Sequence, residues 1–288
     1  MWLRTDRNTC HPLDVDDADA WSHRLVSVQH ESIGPVDASV GEPVKIGGLR
    51  FSRTETPGQA VDLILSLTSR PKTAGIHVHL ANAYTIALAD KDTRYAGVFE
   101  GRCVIFADGK PLTWVSRLRR HSPPLKQVPG PWLFEEVMRA GGSAGLRHFL
   151  LGSTPQVLQS LERNLTRRFP EVRVVGRNSP PFRALSDEEL ESQASEIKES
   201  RPDIVWIGLG TPKQDYEAER IARLHNVVVI AVGAAFDFSA GTLRRAPSWM
   251  TAVGLEWLFR LMMEPKRLWR RYLFGNARFL RAVLREAK

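Results

Sequence analysis

From Pro43 onward, short apolar runs alternate with longer amphipathic stretches along the chain. Residues 44–51 read as a hairpin turning at Gly47 and Gly48, and residues 56–68 as a helix whose Ala60, Val61, Leu63, Ile64 and Leu67 share one face. Residues 76–81 predict a strand followed by a helix over 83–89. Residues 103–107 predict another, which stops abruptly at Asp108-Gly109 before a helix over 112–119. The second half repeats the pattern, with strands expected at 148–151, 172–175, 204–207 and 227–232. Helix starts are marked by Thr154-Pro155 and by Ser186 with Glu189 three residues later, a capping-box spacing. Strands separated by helix-length segments predict an α/β protein with a Rossmann-like, mostly parallel sheet.

Residues 254–284 follow a different rule. Leu255, Leu258, Leu261 and Met262, then Leu268, Trp269, Tyr272 and Leu273, then Phe279, Leu280, Val283 and Leu284 recur at helical spacing. Pro265 and Gly275-Asn276 interrupt them, so a short amphipathic helical hairpin is expected. The chain thus divides into an acidic, aperiodic extension at 1–42, an α/β domain at 43–253 and a C-terminal helical appendage at 254–288.

Composition sharpens this division. With 288 residues, 43% hydrophobic and 25% charged, the chain is neither disordered, collagen-like nor disulfide-rich. Its net charge of +8 is unevenly spread. Residues 1–50 carry five basic and eight acidic side chains, whereas residues 254–288 carry nine basic and three acidic. Arginines interleaved with Trp257, Trp269, Tyr272 and Phe274 favour an anionic membrane surface as the partner; no nucleic-acid-binding signature is present. The first nineteen residues lack the apolar core of a signal peptide, and the apolar run 227–236 is shorter than the roughly 20 residues of a spanning helix. A cytoplasmic protein, peripheral on the inner face of the membrane, is expected. Cys10 and Cys103 form no spaced metal motif and fit a reducing compartment.

Ligands of open α/β sheets bind beyond the carboxyl ends of the strands, which directs attention to the turns there. Asn82 follows the strand 76–81, Asp108 follows 103–107, Gly208 to Gln214 follow 204–207, and Asp237 lies just after 227–232. Asp108 is a candidate general base, although Asp-Gly is also an ordinary turn pair. The segment Gly208-Leu-Gly210-Thr-Pro-Lys213-Gln214 can offer a helix N-terminus to phosphate, with Pro212 first in the helix, or can be a structural glycine turn. It lacks the third glycine of the dinucleotide fingerprint. Asp237 either meets a ribose or base or caps a turn. His77 and His79 alternate on one strand face without an acidic or cysteine partner at metal-binding spacing, and are read as solvent-facing or hydrogen-bonded strand histidines.

Asn82, Asp108-Gly109, Phe149-Leu-Leu-Gly152, Gly208 to Gln214, Val232-Gly-Ala-Ala-Phe-Asp-Phe-Ser-Ala-Gly241, Arg245-Ala-Pro247 and the run from Gly254 to Tyr272 resemble, in this order, the WecG/TagA/CpsF bacterial glycosyltransferases. The resemblance covers about 44–284. It implies an inverting, metal-independent transfer of a hexose or N-acetylhexosamine from a UDP-sugar to a polyprenyl-diphosphate-linked sugar. It further implies Asp108 as the base with Asn82 beside it. Gly152, Gly210, Lys213, Gln214 and Asp237 would line the donor pocket, with Asp237 at the uridine. Arg260, Arg267 and Arg270 of the appendage would neutralise the leaving diphosphate while the same segment rests on lipid.

Three positions depart from the family's pattern. Leu80 stands where a threonine is usual, Gln127 where an arginine is usual, and Pro180-Pro181 where a base-stacking Gly-Tyr pair is usual. The donor sugar, the acceptor sugar and self-association stay open. A nicotinamide-dependent oxidoreductase and a non-enzymatic, membrane-associated nucleotide-binding protein are the rival readings.

Overall fold

A computed structural model describes residues 42–69, 74–121 and 123–286, the side chains of Ala252 and Arg267 excepted. The expected N-terminal extension lies outside the described residues, save Glu42. An antiparallel hairpin of β1 (Val44–Ile46) and β2 (Leu49–Phe51) precedes the main sheet. Six strands follow: β3 (Ile76–Ala81), β4 (Cys103–Ala107), β5 (Arg147–Gly152), β6 (Arg173–Asn178), β7 (Ile204–Gly208) and β8 (Val228–Ala231). They pair in the order β4-β3-β8-β7-β5-β6, every neighbour parallel. The unit β3–β4 and the unit β5–β8 therefore meet at the β3–β8 junction, the kind of junction over which α/β folds bind ligands.

Residues of period two divide among three cores. Val78, Leu80, Val104, Phe106, Leu150, Trp206 and Ile230 face helices α1 (Pro57–Ser69), α5 (Gly130–Ser143), α6 (Pro155–Arg168) and α9 (Ala235–Ala240). Trp206 is fully buried there, edge-on to Phe134 with ring centroids 4.9 Å apart. On the opposite face, Phe149, Leu151, Val205, Ile207 and Val229 meet α7 (Asp187–Ser200) and α8 (Lys213–Leu224). Ala81, Ile105 and Ala107 share a third cluster with the β1–β2 hairpin and α2 (Ala83–Lys91). The short α3 (Thr93–Gly97) contributes Tyr95 to it, and α4 (Lys110–Leu118) contributes Leu112. Ser186 and Glu189 form the expected reciprocal cap of α7, and Thr154 caps α6.

Three elements differ from expectation. Helices α3 and α5 arise where no element is expected, and Pro212 caps α8 from just outside it. The appendage comprises α10 (Ser248–Ala252), α11 (Glu256–Met263) and a single 22-residue α12 (Pro265–Glu286). The break at Pro265 is present, but Gly275-Asn276 does not interrupt α12. A Cβ on Gly275 would lie 3.1 Å from Tyr84 Cδ2, so the glycine serves a close helix-to-helix approach and not a turn.

Helix α12 is consequently docked on the α/β domain, whereas α11 has no buried residue. Leu268, Phe279 and Ala282 are buried, and α12 packs along α2. At its far end the Glu286 carboxylate accepts from Gly47 N at 2.7 Å, Gly48 N at 3.3 Å and Arg119 Nη1 at 2.7 Å. Arg119 also donates to Val283 O, and Arg285 pairs with Asp90. Burial works against ionisation of Glu286, yet the Arg119 guanidinium and the two N–H groups hold its carboxyl below the ordinary value. Among the described residues no helix is long and apolar enough to cross a membrane.

Candidate active site

Two turns abut at the ends of β3 and β4. Asn82 ends β3 in an extended conformation and caps α2: its Oδ1 accepts from Tyr84 N at 3.0 Å and Thr85 N at 3.4 Å, while Thr85 Oγ1 accepts from Asn82 N. Capping occupies the oxygen, so the amide N–H groups are what Asn82 offers a ligand. Asp108 N extends the ladder to Ala81 O at 2.9 Å. The next residue, Gly109, comes close enough that a Cβ on it would lie 3.5 Å from Asn82 Cβ.

The Asp108 carboxyl is half-buried, and its Oδ1 accepts from Gly130 N at 3.1 Å. Gln127 Nε2 donates to the backbone carbonyl of the same residue at 2.8 Å. Burial pushes the carboxyl up to about 6, opposed by the Gly130 N–H, raised further by Glu256 and lowered by Arg260 and Arg271. A carboxylate so poised is a proton acceptor near neutral pH. Charges of the appendage, at Glu256, Arg260 and Arg271, are thus within electrostatic reach of it.

Across the β3–β8 junction are the glycine turns. Gly152 has φ +117°, and a Cβ on it would lie 2.7 Å from the carbonyl of Gly208, its register partner. No other residue fits there. Gly210 has φ +79° and open space around it. The Gln214 side chain, expected to reach a ligand, is 4% exposed and folds back so that its Oε1 accepts from Gly210 N at 3.1 Å. Lys213 opens α8 and is half-buried. Asp237 lies within α9; its Oδ1 accepts from Thr242 Oγ1 at 3.3 Å, and its carbonyl accepts from Thr242 N and Leu243 N.

The cationic side chains distribute unevenly. The Arg260 guanidinium lies 6.0 Å from the ring centroid of Phe238, the residue after Asp237, and its charge reaches Asp108. Arg270 is exposed, its guanidinium over the Trp269 ring at 5.3 Å. Arg271, which the sequence did not single out, stacks over Tyr84 at 4.3 Å, two residues past Asn82. The side chain of Arg267 lies outside the described ones.

His77 and His79 are hydrogen-bonded and buried, not solvent-facing. His79 Nδ1 donates to Asp215 Oδ1 at 2.8 Å, and Asp215 Oδ2 accepts from Tyr95 OH at 2.7 Å. An acceptor on Nδ1 leaves His79 Nε2 to accept from His77 Nδ1 at 2.8 Å. Cys103 joins through register with His77, so that its Sγ and one ring nitrogen of each histidine lie within 4.8 Å of one another. The partner, Asp215, is 136 residues from His79 along the chain, beyond the reach of spacing arguments.

A half-buried carboxylate at a strand end, glycine turns across the sheet junction and arginines from a docked cationic helix are thus gathered at the carboxyl ends of the strands of an α/β sheet. The chain belongs to the WecG/TagA/CpsF family of glycosyl transferases, whose family model matches residues 44–288. It is 28% identical over 218 residues to the N-acetylglucosaminyldiphosphoundecaprenol N-acetyl-beta-D-mannosaminyltransferase of Bacillus subtilis (strain 168), a match spanning 74% of this chain and 81% of that one. The protein is a glycosyltransferase with an α/β fold.

Proposed function

We propose that the protein transfers a hexose or N-acetylhexosamine from a UDP-sugar to a polyprenyl-diphosphate-linked sugar, with inversion and without a metal in the chemical step. The observation that carries this reading is Asp108, a half-buried carboxyl just past the end of β4 that accepts from Gly130 N, is pushed up to about 6 by burial and lies within the field of Arg260 and Arg271. As the acceptor hydroxyl attacks the anomeric carbon, Asp108 takes its proton. The new glycosidic bond forms from the face opposite the leaving group, and the bond from carbon to the diphosphate oxygen breaks, its electron pair leaving with UDP. Arg260 and Arg271 meet the charge that develops on that oxygen, a role that fixed guanidinium groups fill well. Asn82 donates to the sugar. The turns at Gly152, Gly210 and Asp237 hold the nucleotide end, with Lys213 and Gln214 shaping the loop between them.

The appendage also supports a peripheral position on a membrane. Trp269, Leu273, Phe274, Leu280 and Leu284 of α12 are exposed, as are Met262 and Met263 of α11, and Arg270, Arg278 and Arg281 stand among them. Such a surface lies naturally at an anionic lipid interface on the inner face of the membrane. The name of the Bacillus relative supplies the first pair to test: N-acetylmannosamine as the sugar transferred and N-acetylglucosaminyl-diphosphoundecaprenol as the acceptor. UDP release is measured with UDP-N-acetylmannosamine, UDP-N-acetylglucosamine and UDP-glucose against a short-chain prenyl-diphosphate-N-acetylglucosamine, with and without chelator. Turnover with one donor, unaffected by chelator, is expected; a folded protein that releases UDP from none of them refutes the reading.

A further inference from the structure

On the flank of Asp108 away from the glycine turns lies a cavity of about 400 Å³. Three of its lining side chains are cationic: Lys110 and Arg117, seven residues apart on one face of α4, and Lys126 from the loop before α5. Its lining contains no carboxylate, and none of the three is in an ion pair among the described residues. Cations gathered around a cavity without a counter-charge repel one another unless an anion joins them. Lys110 also opens α4, whose N-terminal N–H groups add positive potential at the same place. Gln127 ties the cavity to the reacting centre, since it lines the wall and donates to Asp108 O. Leu125 and Trp132 supply apolar wall.

The appendage begins beside this cavity. A Cβ on Gly254 would lie 3.3 Å from Lys110 Cγ and 3.1 Å from Trp114 Cζ2, so the chain there rests directly on α4. Its neighbours Val253 and Trp257 are exposed, 58% and 39% respectively, forming an apolar margin next to a basic hollow. A ligand with an anionic head and an apolar tail matches both features together, and a diphosphate diester, with two negative charges, suits three cations.

We propose that this cavity is the acceptor subsite: Lys110, Arg117 and Lys126 bind the diphosphate of a prenyl-diphosphate-linked sugar and hold its sugar against Asp108, while the prenyl chain leaves over Val253 and Trp257. The proposal rests on the function proposed above and assigns its acceptor to one side of Asp108, opposite the donor turns. It also places cations of this chain near the position where Gln127 replaces the family's usual arginine.

Direct binding keeps the two readings apart, because it needs no turnover. The full chain is titrated with farnesyl diphosphate and, separately, with inorganic diphosphate, for the wild type, Lys126→Gln, the double variant Arg117→Gln with Lys126→Gln, and Arg173→Gln as a charge control at the far end of the sheet. Farnesyl diphosphate is expected to bind more tightly than inorganic diphosphate, to weaken with salt, and to lose on the order of tenfold in affinity per cation removed, with Arg173→Gln unchanged. In turnover, the acceptor KM rises by a similar factor while the donor KM stays put. Binding that follows this pattern supports the subsite even if no UDP-sugar is turned over. Equal affinity for the two diphosphates, or an acceptor KM unchanged in the double variant of an active enzyme, overturns it.

Discussion

Replacing Asp108 by Asn removes the proposed proton acceptor while keeping the side chain's shape and its acceptance from Gly130 N. General-base catalysis contributes about 10² to 10⁴-fold, and a loss of that size in kcat is expected, with donor affinity retained. The structure adds a second expectation, of opposite sign. Burial lifts the carboxyl from 3.8 to about 6. Below pH 3.8 it is neutral in folded and unfolded chains alike. As the pH climbs toward 6 the unfolded chain ionises while the folded one resists, so stability is lost through that window and stays level above it. Each pH unit is worth about 1.4 kcal/mol, so the carboxylate costs the fold roughly 3 kcal/mol at neutral pH, an upper figure for a half-buried group. Asp108→Asn is therefore expected to unfold several degrees higher than wild type at pH 7.5 and at the same temperature at pH 3.5. Thermal unfolding across that range, paired with UDP release, tests both expectations. In wild type, kcat/KM rises through about pH 6 to a plateau. A variant that keeps turnover within threefold of wild type, or one that is dead and also less stable at pH 7.5, would refute the assignment of Asp108 as a strained base.

Glu286→Gln should free the end of α12 from Gly47, Gly48 and Arg119, raising amide exchange over the last turns of the helix. The carboxyl is held below its ordinary value, so its stabilisation is fully present above that value and is lost as the pH falls through the lower folded-state value; the excess exchange of the variant over wild type, corrected for intrinsic rates, should shrink on acidification. Trp269→Ser with Leu273→Ser changes two exposed side chains and should abolish sedimentation with anionic liposomes at unchanged melting temperature; liposome binding equal to wild type would remove α12 as the membrane face. Gly152→Ala meets both a positive φ and the Gly208 carbonyl at 2.7 Å, and should cost about 2 kcal/mol or more in denaturant unfolding.

Alternation of apolar and polar residues was enough to find the strands, because each is a short β-branched run stopped by a turn. Ile76–Ala81 and Cys103–Ala107 coincide with expectation, and the ends of the others fall within one residue of it, except that β6 runs three residues further, to Asn178. Helix α5 escaped because Pro131, Gly141 and Gly142 break its pattern; Gly141 and Gly142 are there for close packing, with Cβ positions 3.2 Å from Leu146 and 3.1 Å from Glu171. The same misreading made Gly275 a turn. Glycine says that a side chain is unwelcome, and only the fold says whether a bend or a neighbour is the reason. At the site, Asn82 and Asp108 were legible as strand-end residues, whereas Asp237, picked out by its place after the last strand, lies inside α9. Arg271 was not, since which of the adjacent arginines faces Tyr84 depends on how α12 is rotated against α2. Lys110, Arg117 and Lys126 escaped likewise, because their convergence depends on a loop closing against a helix.

The buried chain of His77, His79, Asp215 and Tyr95 has a kinetic consequence. Asp215 directly follows Gln214, so β3 and α3 clamp the base of the segment that carries Gly210 and Lys213, while Gln214 braces its tip. Those contacts predict a segment held in one conformation before a nucleotide arrives. Donor association should then be a single bimolecular step whose observed rate rises linearly with concentration, without the saturating second phase of a loop that must order itself around its ligand.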